Sequence, residues 1–268
     1  MDRGMIARVF PTRTSMTPTD QDAYFSYPDL FTPKYDEVHI STVFTWDIPK
    51  ARVLAKAWED YGKVKIGGCA FGNKGGEFVP GMYLKKGITI TSRGCPNRCS
   101  FCFVPKREGK LRELPIVEGN IIQDNNFLAC SKEHRQKVYQ MLVKQKGICF
   151  KGGLEARRLT DWDINQLREL AIKELWFACD HKNAIRGIRE IAYKMTKYFA
   201  SHKLLCYVLI GDDMIENEAR LKAVFNAGMY PFAQLFRDGH KTYAKKWRDF
   251  ARTWSRPAAY KTLMRKNG

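Results

Sequence analysis

No run in the 268 residues approaches the ~18 uninterrupted apolar positions that a membrane span needs. The stretch MDRGMIARVF interleaves acid and base with short apolar pieces, so no secretion signal and no membrane partner is expected, and the reading is cytoplasmic. There is no internal repeat and no low-complexity tract, which sets aside solenoids, collagen and disordered chains. Acidic residues are scarce: 28 Asp and Glu stand against 46 Lys and Arg, a net charge of +18. Hydrophobic residues at 44% are ordinary for a globular protein, and a chain of this length buries roughly 70 to 75% of its unfolded surface. A real core is therefore expected.

What the cysteines lack is a pairing pattern. Of the eight, Cys149, Cys179 and Cys206 lie in the apolar runs GICF, LWFAC and LLCYVLIG, where a thiol behaves as a small buried hydrophobe. That argues for a reducing compartment and against a disulfide framework. Cys95, Cys99 and Cys102 differ, because GCPNRCSFC is polar and punctuated by Gly and Pro. Cys-x3-Cys-x2-Cys places three thiols on one tight loop, and a [4Fe-4S] cube held by three of them keeps its fourth iron open. Structural zinc usually takes four protein ligands in two short pairs, and no second pair exists. The spacing favours iron and sulfur, with zinc as the alternative.

From about residue 88 short β-rich runs alternate with helical patterns: GITITSRG, GNIIQDNNF, ICFKGG, ELWFACD, LLCYVLIG and YPFAQLF. Between Ala184 and Ala200, Ile185, Ile188, Ile191, Ala192, Met195 and Phe199 share one helical face, with Arg186, Arg189, Glu190 and Lys197 opposite. Val138, Met141 and Leu142 mark another covering helix, Leu167 and Leu170 a third, and Leu221, Val224 and Phe225 a fourth that Gly228 can end. The class is α/β: a partial (β/α)6 barrel over 88–239, with ligands expected at the C-terminal strand ends. Residues 1–87 read as a smaller α/β lobe built on MIARVF, EVHISTVFT, a helix through Leu54, Ala57, Trp58 and Tyr61, and VKIGGCAF. Residues 240–268 hold nine Lys or Arg and one acid, interleaved with Trp247, Phe250, Trp254 and Tyr260, and are expected to be a basic helical extension. Bases among aromatics suit single-stranded RNA or DNA; the bland alternative packs those rings on the core and turns the bases to water.

The segment GITITSRGCPNRCSFCFVPKREGKLRELP resembles the radical S-adenosylmethionine (radical SAM) superfamily, through the triplet, the aromatic before its third cysteine and the TSRGCP strand end. IIQDNNF, FKGGLEARRL and YVLIG are similar in order and spacing to strands of its MiaB-like and cobalamin-dependent branch. The resemblance implies a cluster on Cys95, Cys99 and Cys102, reduced by a donor such as a flavodoxin or ferredoxin. SAM bound at its open iron would be cleaved to methionine and a 5′-deoxyadenosyl radical. It also implies that Phe101 packs near adenine, as against a core aromatic; that Asp124 and Asn126 meet the SAM amino group or substrate, as against an Asx turn or cap; and that Glu155 meets a ribose hydroxyl. Arg157, or Arg158 in its place, would take the methionyl carboxylate after Gly152 and Gly153. Gly211 would sit where the backbone approaches adenine, and Asp180 would face the reaction chamber or cap the next helix. The chain departs from the pattern at Gln123-Asp124-Asn125-Asn126, where Gly-Gly-Glu-Pro is usual. The first lobe is similar to a truncated cobalamin-binding fold but lacks Asp-x-His-x-x-Gly, and His39 reads as a core or edge histidine, so cobalamin is not expected. Methylthiotransferase activity is disfavoured because this lobe has only Cys69. The competing function is a nucleic-acid-binding protein with a structural zinc or iron–sulfur site and no radical chemistry.

Overall fold

The structure, a computed structural model, describes residues 4–237 and 242–266. The boundary expected between 239 and 240 lies outside the described residues. The chain forms two compact units, Met1–Ile88 with Phe103–Gly109, and Thr89–Cys102 with Lys110–Gly268.

In the first unit β1 (Ile6–Val9), β2 (Ala23–Tyr24), β3 (Glu37–Ser41) and β4 (Lys63–Gly67) form a parallel sheet in the order β2-β1-β3-β4. Alternation decides its faces: Ala7, Val9, Val38 and Ile40 are buried together with Ala51, Leu54 and Trp58. Ala51 and Leu54 belong to α1 (Ile48–Ala57), which has Pro49 in its first turn. The opposite row, Arg8–His39–Lys65 in cross-strand register, is polar. His39 bonds Tyr83 Oη and Glu37 Oε2, both at 2.7 Å, so it is a paired, half-buried histidine on the inner strand β3, neither a core nor an edge histidine. The short α2 (Val104–Arg107) belongs to this unit, and Glu108 just after it is 4% exposed and accepts from the Gly75 N–H at 3.1 Å.

The larger sheet runs in sequential order through β5 (Ile88–Thr89), whose second residue opens the second unit, β8 (Ile121–Ile122), β9 (Lys146–Leu154), β10 (Ala171–Ala178), β11 (Leu204–Ile210) and β12 (Tyr230–Leu235), with a separate antiparallel pair of β6 (Ser92–Arg93) and β7 (Arg112–Glu113). From β8 to β12 every neighbouring pair is parallel. The sheet is open, and no closed barrel forms among the described residues. The single strand expected at GITITSRG is broken in two, because the Asp124 carboxylate takes the Thr91 N–H at 2.6 Å and replaces a ladder bond there.

The crossovers carry α3 (Lys132–Val143), α4 (Asp161–Arg168), α5 (Ala184–Met195) and α6 (Met214–Asn226). Local chemistry starts them. Ser131 caps α3 on the His134 N–H, Thr160 and Asp163 make a reciprocal capping box on α4, and Asp213 accepts from the first turn of α6. Met229 N–H to Val224 O and Gly228 N–H to Phe225 O close α6 with the 6→1 and 5→2 bonds of a Schellman motif. The buried stripe of α5 is Ile188, Ile191, Ala192 and Met195, each larger side chain contributing roughly 1.5 to 3 kcal/mol of burial.

The tail forms α7 (Lys245–Trp254) and α8 (Pro257–Lys266). Trp254 is 1% and Tyr260 0% exposed in the core of the second unit, with Trp247 and Phe250 packed against it. This corrects the expectation that the tail aromatics stack on nucleic acid: they fill a core, and the outward face keeps Lys245, Lys246, Arg248 and Arg252. No helix among the described residues is long and apolar enough to cross a membrane.

Candidate functional site

Parallel strands deliver their C-terminal ends to one sheet edge, and chemistry-bearing residues gather there. The cysteine loop follows β6, Asp124–Asn126 follow β8, Glu155–Arg158 follow β9, Asp180 follows β10, and Gly211 follows β11. Hydrogen bonds tie the loop to this edge. Gly94 N–H donates to Asn125 Oδ1 at 2.9 Å, and Asn126 Nδ2 to Cys95 Sγ at 3.4 Å. Asn97 donates from Nδ2 to Glu155 Oε2 at 3.0 Å, and its Oδ1 accepts from Arg157 Nη2 at 2.9 Å.

All three thiols are free, Cys99 exposed and Cys95 and Cys102 half-buried. Burial first, then the negative fields of Cys102, Cys95, Asp180 and Glu155, push the Cys99 thiol up, so it senses the charge of both other cysteines. Among the described residues no three His, Cys, Asp or Glu side chains stand as a ready-formed metal cage. The donor set nonetheless suits a cluster: three unbridged thiols on one loop, one already accepting N–H bonds from Asn97 and Asn126, the kind of bond that supports bound thiolates. Ligands that assemble on the metal as it binds are common. Burial pushes the thiols of Cys130 and Cys179, which lie outside this loop, up to about 12.

Glu155 is the hub. It accepts from Asn126 Nδ2 at 2.7 Å, from Asn97, from Arg158 Nε at 2.7 Å and from Arg157 Nε. Burial raises its carboxyl, but the four donors outweigh this and hold it below the ordinary range. A ribose hydroxyl at Glu155 would have to share these lone pairs. Arg157 and Arg158 both reach the carboxylate, so neither is singled out. Asn126 is 4% exposed and its Oδ1 is buried with no hydrogen-bond partner, an acceptor waiting for a donor.

Asp124 is 2% exposed and accepts from Thr91 N–H and Oγ1, both at 2.6 Å, and from Ser92 Oγ at 2.8 Å. Burial raises its carboxyl against those bonds. These three bonds clamp the β5–β6 break to the end of β8. Gly152 answers to the same junction: a Cβ there would lie 1.8 Å from Asp124 O, so only glycine lets β9 pass. Gly153 adopts φ +89° with open space beside it.

Phe101 lies half-buried in the turn between Cys99 and Cys102. Gly211 is covered: a Cβ there would meet Tyr243 Oη at 2.2 Å, and Tyr243 donates to Phe236 O at 2.6 Å. Asp180 does not cap the next helix, whose N-cap residue is Asn183; burial raises its carboxyl, against a backbone bond at Leu209 and the charge of Arg220. Sequence reasoning missed Asn97 and Arg220. Arg220, 2% exposed, donates to Cys179 O at 2.9 Å, Leu209 O at 2.8 Å and Glu216 Oε2 at 2.8 Å, riveting the ends of β10 and β11 to α6. Only an arginine next to the apolar Leu221 and Val224 of α6 hinted at it.

Comparison with protein-family models, with curated proteins and with solved structures finds no match for this chain.

Proposed function

We propose that the second unit is a radical SAM core, an incomplete (β/α)6 barrel carrying a [4Fe-4S] cluster on Cys95, Cys99 and Cys102. The observation that carries this reading is the placement of Asn126, which bonds Cys95 Sγ and Glu155 while presenting an unpartnered buried oxygen beside three free thiols. When bound, the cluster supplies the electron that cleaves SAM to methionine and a 5′-deoxyadenosyl radical, and the electron comes from an external donor such as a flavodoxin or ferredoxin. The chain's residues do the holding. Asn126 Oδ1 accepts from the amino group, Arg157 or Arg158 pairs with the carboxylate, and Glu155 keeps both arginines and Asn97 in place. Phe101 would offer a ring to the adenine and Gly153 would leave room beside its backbone, while Gly211, the other glycine at this end of the sheet, lies under Tyr243. Asp124 acts as a positioning residue. The net charge of +18 supports a polyanionic substrate, RNA or DNA, and the outward bases of α7 add to that attraction.

Anaerobic reconstitution with iron and sulfide tests this. A brown protein with about four irons per chain, which cleaves SAM when reduced with dithionite, is the expected result. Cys99→Ala should abolish cleavage, and Cys130→Ala should retain it because Cys130 is a buried thiol outside the loop. A colourless protein holding stoichiometric zinc, or equal loss in both variants, overturns the assignment.

A further inference from the structure

A second surface lies at the opposite edge of the same unit, where α4, α5 and α6 end before β10, β11 and β12 begin. Between the last turns of α5 and α6 a groove of about 320 Å³ is lined by Arg189, Tyr193, Thr196, Ala223, Asn226 and Ala227. That is the small end of ligand-pocket sizes. Two large rings stand in water on this face: Tyr193, which lines the groove, is 70% exposed, and Tyr198, just after α5, is 50% exposed. Neither serves the core, because α5 buries its Ile188, Ile191 and Met195 face instead. Each ring carries a cation: Lys197 Nζ is 4.1 Å from the Tyr193 centroid and Arg168 Cζ 4.1 Å from that of Tyr198.

The surrounding charge is positive. Arg186 and Lys194 pair with Glu190 and Asp161, while Arg168, Arg189 and Lys197 make no ion pair among the described residues. We propose that this face binds a single-stranded polynucleotide, with Tyr193 and Tyr198 stacking on bases, Arg168, Arg189 and Lys197 meeting phosphates, and the Asn226 amide in the groove bonding a base edge. Helix ends here present carbonyls, so phosphates must be met by side-chain cations, which is what the surface supplies. Flat rings, each with a cation, are the chemistry of sequence-tolerant single-strand binding. Charge and exposure carry this assignment independently of the cluster.

The test uses the full chain with no cofactor added, so its outcome is separate from SAM cleavage. Binding of a fluorescein-labelled 12-nucleotide RNA of mixed sequence is followed by anisotropy at ~50 and ~200 mM salt. Tyr193→Ala and Tyr198→Ala should each weaken binding at least about five-fold, and Tyr193→Phe should restore it because the ring is kept. Arg168→Gln combined with Lys197→Gln should flatten the log–log salt dependence by roughly 0.7 for each phosphate that is no longer neutralised. Absence of binding at the lower salt overturns the proposal. So does undiminished binding by Tyr193→Ala, or equal competition by a double-stranded RNA, whose bases cannot stack on a protein ring.

Discussion

Two stretches of this chain interleave bases with aromatic residues, and they use them in opposite ways. In α7 and α8 the rings of Trp254 and Tyr260 are closed into the core, Trp247 and Phe250 pack against it, and the bases Lys245, Lys246, Arg248 and Arg252 face water. On α5 and the turn after it, the core takes isoleucine and methionine, and the tyrosines are left outside under cations. Interleaving alone therefore does not identify a nucleic-acid surface. What decides is whether another apolar stripe on the same element already satisfies the core.

The sharpest break of this contrast is Trp254→Ala. Removing a buried tryptophan should cost roughly 3 to 5 kcal/mol in urea unfolding; a loss below ~1 kcal/mol would mean the tail is not core. Next comes Glu155→Gln, which asks whether the polar hub at the C-terminal edge is also structural. At neutral pH it should cost about 1 to 3 kcal/mol, since charge-assisted bonds are lost within a half-buried network. The folded carboxyl titrates below its ordinary value of 4.5, so its contribution is present above that pH and disappears as pH falls through the depressed value. Parent and variant should accordingly converge in acid, and a gap that persists there would assign the loss to packing.

Reversing Lys245, Lys246, Arg248 and Arg252 to Glu should change stability by about 0.5 kcal/mol or less per site. The pair Lys245–Asp249 at 2.7 Å is solvent-exposed and contributes little. The smallest effect belongs to Tyr193→Ala, where thermal unfolding should stay within ~0.5 kcal/mol of the parent. A larger drop would show that Tyr193 supports the helix and is not held out for a ligand.

The cysteine triplet was legible from spacing, and the strands from short apolar runs such as LLCYVLI, because both signals are local. Helix starts at Ser131 and Thr160 were likewise within reach of a capping argument. The hub was not, since Asn97, Asn126 and Glu155 are brought together across 58 and 29 positions by strand order alone. The clamp made by Asp124 was hidden for a related reason: its carboxylate serves a break in a strand 33 residues earlier, and nothing near it announces that role. The fate of the tail rings depended on β12 and α6 offering them a surface, which helical periodicity does not reveal.

The segment Phe103–Gly109 belongs with the first unit although it follows residues of the second. The polypeptide thus passes from one unit to the other three times, at 88, 102 and 109, and neither unit is one continuous stretch. A fragment ending at 88 lacks the piece that carries Glu108, whose carboxylate receives the Gly75 N–H, and a fragment starting at 89 carries that piece as an orphan. Neither unit can be transferred as a cassette by a single recombination joint. A graft of either onto another protein needs two junctions or a redesigned bypass across 103–109.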